Sequence, residues 1–165
     1  MIGLNSKVKN VLLEIDFIKR YEKLSTFYNA ERTSSKERLR YFDGEIVMDS
    51  ITQLGYVVNF EPKDKYFKII ESQIDKYSFS AHIILDNGMV DIVWIAKEGE
   101  SLILGLPIGE YSRLIVAPDY RIKKPIFGTY EDLDEIFEIT FELFEDFKHL
   151  YVNKHKDTPL MFIST

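Results

Sequence analysis

The chain has 165 residues, 27 acidic against 21 basic, and a formal net charge of −6. Its composition is 45% hydrophobic, with 12 Phe and 10 Tyr, which suits a folded core and excludes a disordered chain. It has no cysteine, so disulfides, thiol nucleophiles and cysteine-based zinc sites are excluded, and the net acidity argues against a general affinity for nucleic-acid phosphates.

The N-terminus lacks a basic segment followed by an apolar one, so no signal peptide is expected. No apolar run approaches the ~20 residues of a membrane span. A single cytoplasmic domain covering residues 1–165, off the membrane, is the expectation. Residues 6–28 read as helix, with Val8, Val11, Leu12, Ile15, Ile18 and Tyr21 at helical spacing and Ser6 as a possible N-cap. The polar break Asn29–Ser35 follows. A second helical pattern runs from Ser35 to Leu54, interrupted at Asp43-Gly44 and closed by Gly55.

Strands come next. Tyr56–Phe60 and Tyr66–Glu71 flank a stretch of turn composition. Asn87-Gly88 suits a type I′ hairpin turn, and that turn fixes a register. Leu85 then faces Val90, Ile83 faces Ile92, Ala81 faces Trp94 and Phe79 faces Ala96, all apolar pairs. The other face is mixed, so the hairpin belongs in the middle of a sheet with helices over at least one side. Glu98–Glu100 turns the chain into Ser101–Leu106. Residues 107–128, rich in Pro and Gly, read as a loop, one more strand and a second loop. Leu160–Ile163 reads as a terminal strand or a docked extension.

Residues 129–147 hold eight acids and no Lys, Arg or His. Leu133, Ile136, Phe137, Thr140, Phe141, Phe144, Phe147 and Tyr151 recur at three- and four-residue steps, which predicts a long amphipathic helix. Thr129 and Asp132 resemble a capping box. Lys148, His149 and Lys154 lie near its end, where cations suit the helix dipole. The expected fold is α+β: N-terminal helices, a mainly antiparallel meander of about five strands, and this acidic C-terminal helix.

Chemistry-bearing motifs are scarce. His82, His149 and His155 have no metal-ligand spacing, and no phosphate-binding loop or nucleophile elbow occurs. No catalytic, cofactor or metal residue is assigned. Glu131/Glu135 and Glu138/Glu142 sit four apart and could share a cation, but no Glu-x-x-His pattern accompanies them. The acidic face is then a solvated surface, a docking surface or a carboxylate metal site. Residues 1–40 carry nine Lys or Arg and five Asp or Glu, so an internal cation could also answer it.

The Asp86-Asn87-Gly88 hairpin with Trp94, the Leu104-Gly105-Leu106-Pro107 strand end and the Pro125–Leu133 lead into the acidic helix give a further indication. Over about residues 56–150 the chain resembles the immunity proteins of contact-dependent bacterial growth inhibition. The resemblance implies a non-enzymatic inhibitor, without cofactor, that binds the C-terminal domain of a cognate toxin, often a cationic nuclease. A carboxylate-rich face would complement a positive cleft. The expected partner-binding residues are Glu131, Asp134, Glu135, Glu138, Glu142, Glu145 and Asp146. The alternatives are a regulatory or adaptor domain for another basic protein, and an enzyme whose carboxylates bind a metal.

Overall fold

The computed structural model describes residues 4–156. Two helices open the chain, α1 (Ser6–Glu14) and α2 (Phe17–Phe27). The single helix expected over 6–28 is broken at Asp16, which takes a left-handed backbone with φ 58°. The break has a packing reason. It turns Phe17, Tyr21 and Leu24 into the core while Ile15 and Ile18 are only partly buried. The N-cap is Asn5 rather than Ser6: its side-chain oxygen accepts from the Val8 amide at 2.8 Å.

Of the pattern at 35–54, only α3 (Gly44–Gln53) is a full helix; Ser35–Glu37 is one 3-10 turn. Arg38 is extended, and the Leu39 amide bonds the Phe127 carbonyl at 3.1 Å. This segment therefore serves the loop before the last helix. Asp43 caps α3 by accepting from the Glu45 amide, and Gly55 follows it with φ 97°.

Five strands form an antiparallel sheet in chain order: β1 (Val58–Glu61), β2 (Tyr66–Ile74), β3 (Tyr77–Asp86), β4 (Met89–Glu98) and β5 (Ser101–Leu104). The β3–β4 register is the expected one, from Leu85 opposite Val90 to Phe79 opposite Ala96. Asn87 and Gly88, at φ 54° and 70°, make the left-handed turn between them. Bulges interrupt β2 between Ile69 and Ser72 and β4 beside Ala96.

No strand forms in 107–128. Instead Ile108–Glu110 makes a 3-10 turn and α4 spans Tyr111–Ile115. Burial explains the difference. Tyr111 is fully enclosed and meets Trp94 and Phe17, with ring centroids 5.8 and 5.1 Å away. The following loop lies along the free edge of β4, where the Val90 amide bonds the Pro125 carbonyl and Phe127 bonds the Gly88 carbonyl. It covers a strand edge without being a strand.

The last helix, α5, runs from Tyr130 to His155. It lies on the sheet face that carries Phe79, Ala81, Ile83, Ile92 and Trp94. Phe144 and Phe147 sit 5.2 and 5.6 Å from Trp94, and Tyr151 meets Tyr77 edge-on. The opposite sheet face, including His82, Ile84, Val93 and Ile95, is half-buried. The expected terminal strand at Leu160–Ile163 lies outside the described residues.

Gly88 does two jobs. Its turn needs φ 70°, and a Cβ there would sit 2.6 Å from Arg38 Cβ. Gly99 also has positive φ, at 58°, but open space around it. Gly99→Ala should cost about 1–2 kcal/mol from left-handed strain alone. Gly88→Ala should cost clearly more, read as a larger drop in urea midpoint at unchanged m-value. Equal losses would mean that the hairpin tip does not press on Arg38.

Candidate functional site

The acidic surface is built on α5, whose start is fixed locally. The Thr129 hydroxyl accepts from the Asp132 amide at 3.0 Å, and the Asp132 carboxylate accepts from the Gly128 amide at 3.0 Å. The reciprocal bond of a capping box thus reaches one residue further back than usual. The buried stripe includes Leu133, Ile136, Phe137, Phe141, Phe144 and Phe147, as expected. Thr140 is tolerated within it because its hydroxyl donates back to the Ile136 carbonyl at 2.9 Å.

The acids of the seven expected positions divide into two flanks and a crest. On the α2 flank, the Tyr28 hydroxyl donates to Glu135, and Arg20 lies 2.8 Å from Asp146 and 3.6 Å from Glu142. On the α3 flank, Ser50 donates to Asp134 and Tyr56 to Glu145. Lys148 completes that side with an ion pair to Glu145 at 2.6 Å. Along the crest, Glu131 and Glu138 are exposed and make no side-chain hydrogen bond or ion pair among the described residues. Glu142 shares the crest, with its side chain 68% exposed.

Much of this grip comes from hydroxyls, and that matters for charge. A neutral donor orients a carboxylate without cancelling it. Burial and then the bonded Glu135 push the Tyr28 phenol well above its ordinary pKa; burial and Glu145 do the same to Tyr56. Both hydroxyls stay protonated donors. Three cations, Arg20, Arg32 and Lys148, pair with four of the eight acids of α5: Glu142 and Asp146, Asp132 at 3.3 Å, and Glu145. The basic N-terminal region therefore answers the face in part, and the surface remains negative.

Beside the hydroxyl donors Tyr28, Ser50 and Tyr56, two cations of the face, Lys148 and Arg20, have roles that the sequence does not announce. Lys148 is expected only as a cation near the helix end, favoured by the dipole; its side chain is in fact 6% exposed. It lies 4.9 Å from the Phe144 ring and 5.6 Å from Tyr56, where cation–π attraction supplements the ion pair. Its place, one residue after Phe147 and four after Phe144, is the only signal in the sequence. Arg20 also bonds the Ile15 carbonyl at 3.0 Å, so one side chain joins the end of α1 to α5.

The carboxylate pairs four residues apart do not gather into a metal site. Glu135 is drawn to Tyr28 and Glu142 to Arg20, and no three His, Asp or Glu among the described residues come together to hold a metal ion. His82 is half-buried against the Tyr66 ring, 4.2 Å between centroids, and burial followed by Lys68 lowers its pKa. No helix among the described residues is long and apolar enough to cross a membrane.

Comparison with protein-family models, curated proteins and solved structures returns no match to this chain.

Glu145 ties the face to pH. Burial opposes its charge, but Lys148, Tyr56 and His149 outweigh that and hold the carboxyl below its ordinary value of 4.5. A lowered folded pKa stabilises the fold above the unfolded value and is lost as pH falls through the folded one. Stability should therefore drop as pH falls below that ordinary value. Glu145→Gln should flatten that part of a melting-temperature profile against pH and lower the plateau near neutrality. An unchanged acid limb would remove Glu145 from the account.

Proposed function

We propose that this chain is a non-enzymatic immunity protein that binds the C-terminal domain of a cognate bacterial toxin and neutralises it through the crest of α5. The observation that carries this reading is the division of labour along the helix. The flanking acids are held by the protein itself, whereas Glu131 and Glu138 have no side-chain partner among the described residues and stand at the surface beside Glu142. A row of like charges along one side of a helix is poor at stabilising that helix. It is well suited to a cationic cleft, such as one that receives a polyanionic substrate, because the potential steers encounter before contact.

The flanks support the reading too. Interfaces lose affinity when side chains must be ordered on binding, and the flank carboxylates fixed by Tyr28, Ser50 and Tyr56 avoid part of that loss where a partner reaches past the crest. The proposed role needs no cofactor. It puts the protein in the cytoplasm, bound to a partner protein rather than to nucleic acid or membrane, and the cysteine-free sequence fits a reducing compartment.

The test separates recognition from folding. The chain is co-expressed with the C-terminal domain of the protein encoded by the adjacent gene, and the two should purify together. Glu131→Lys/Glu138→Lys should slow association about tenfold or more at low salt, with the gap closing as salt rises. The melting temperature should fall only slightly, since neither carboxylate is bonded within the described fold and Glu131 alone gives up a favourable first-turn position on the helix dipole. An unchanged association rate together with unchanged protection from the toxin would sink the proposed surface.

A further inference from the structure

A second feature lies across α2 from the acidic helix. Arg20 and Tyr28 point from α2 toward α5, while Glu22, Ser25 and Thr26 lie on its other side and border an open groove of about 940 Å³. The groove is closed beneath by Met89, Ile122 and Ile126, the two isoleucines being 8% and 7% exposed. Its walls come from segments far apart in sequence: α2, Arg38, the free edge of β4, and the loops on either side of α4. These loops are held in place. Ser25 donates to the Lys123 carbonyl at 2.5 Å, Ile126 donates to the Tyr28 carbonyl at 2.8 Å, and Ser112 donates to the Tyr120 carbonyl at 3.0 Å.

The charges on the groove are unequal in what they already hold. Glu22 accepts the Tyr120 hydroxyl at 2.7 and 2.8 Å, Asp91 pairs with Lys124 at 3.5 Å, and Glu110 pairs with Arg113 at 3.3 Å. Glu31 is the lining acid left over. Against it stand Arg38, Arg121 and Lys123, whose side chains make no hydrogen bond or ion pair among the described residues. The net balance of uncommitted groups is positive, on a protein whose formal charge is −6.

Arg38 is the decisive member. Its Nε is buried and donates to no acceptor among the described residues. Its backbone cannot easily retreat. The Ser35–Glu37 turn precedes it, the Leu39 amide is bonded to Phe127, and Gly88 closes on its Cβ. The Nε–H is enclosed, but the residue as a whole is only half-buried and lines the groove, so the rest of its planar donor set is available to match a carboxylate or a phosphate.

We propose that this groove binds a ligand bearing an oxyanion, with Arg38 receiving the oxyanion, Arg121 and Lys123 adding charge, and the Met89–Ile122–Ile126 floor taking the ligand's apolar body. The site is separate from the α5 crest, has the opposite sign, and does not depend on the toxin-binding role. The shared chemistry is that of a carboxylate or phosphate group, and both are tested.

The full chain, labelled with nitrogen-15, is titrated with inorganic phosphate in one arm and glutarate in the other, reading the arginine Nε–H signals by NMR. The Arg38 signal should shift and saturate in at least one arm, and the stronger arm names the oxyanion. Arg121→Gln/Lys123→Gln, changed only at exposed side chains, should weaken the apparent affinity about tenfold. Arg38→Gln should abolish the saturating shifts of the remaining groove signals; if that variant does not fold, the exposed double variant still decides. A linear, unsaturated drift in both arms, or saturation that the double variant leaves unchanged, would overturn the site.

Discussion

The structure depends on the seating of α5 against the sheet through Trp94. The indole packs on Phe144 and Phe147 of the helix and on Phe17 and Tyr111 from the other side, so sheet, C-terminal helix, α2 and α4 meet at one ring system. Truncating a buried aromatic residue typically costs about 3–5 kcal/mol, whereas a like-charge pair along a helix costs about 0.2–0.5 kcal/mol. The difference in scale explains why a helix this acidic can persist. Its buried side sets the stability, and its exposed side is left to carry charge.

That separation shapes the surface as well. Tyr28, Ser50 and Tyr56 come from three different places in the chain, yet each ends on a carboxylate of α5. They seal the seams between α5 and its neighbours with hydrogen bonds that leave the anions charged. Arg20 and Lys148 then trim the potential at Asp146 and Glu145, near the C-terminal half of the helix. The least compensated acids, Glu131 and Glu138, lie toward its N-terminal half, and Glu131, in the first turn, is favoured there by the helix dipole. The groove beyond α2 has the opposite character, so α2 divides two surfaces of opposite sign.

The parts legible in the sequence were those specified by local rules that agree with one another. Asn87-Gly88 and the alternating apolar residues on either side both select one hairpin register, and that register is observed. The α5 stripe was equally plain because its period runs on without interruption. Elsewhere the deciding interaction lay far off in sequence. Nothing around Asp16 signals a left-handed residue, since the gain from turning Phe17 and Tyr21 inward depends on Trp94 and Tyr111. The short apolar run Leu114–Ala117 has no period long enough to separate strand from helix, and the enclosure of Tyr111 settled it. In the acidic face, the acids were visible but their partners were not. Arg20, Tyr28, Ser50 and Tyr56 look like ordinary surface residues until the fold brings them beside α5. The groove had no linear signature at all, because its walls come from separate parts of the chain.

The chain has one tryptophan, and it is the residue on which α5 rests, 1% exposed and with its indole N–H unpartnered among the described residues. An indole in that setting emits at short wavelength, and its emission moves to the red when water reaches the ring. Lifting α5 from the sheet would admit water there, whereas events on the crest of the helix, on its far side, would not. The protein thus carries a built-in optical gauge of helix docking that is insulated from what happens at its charged surface.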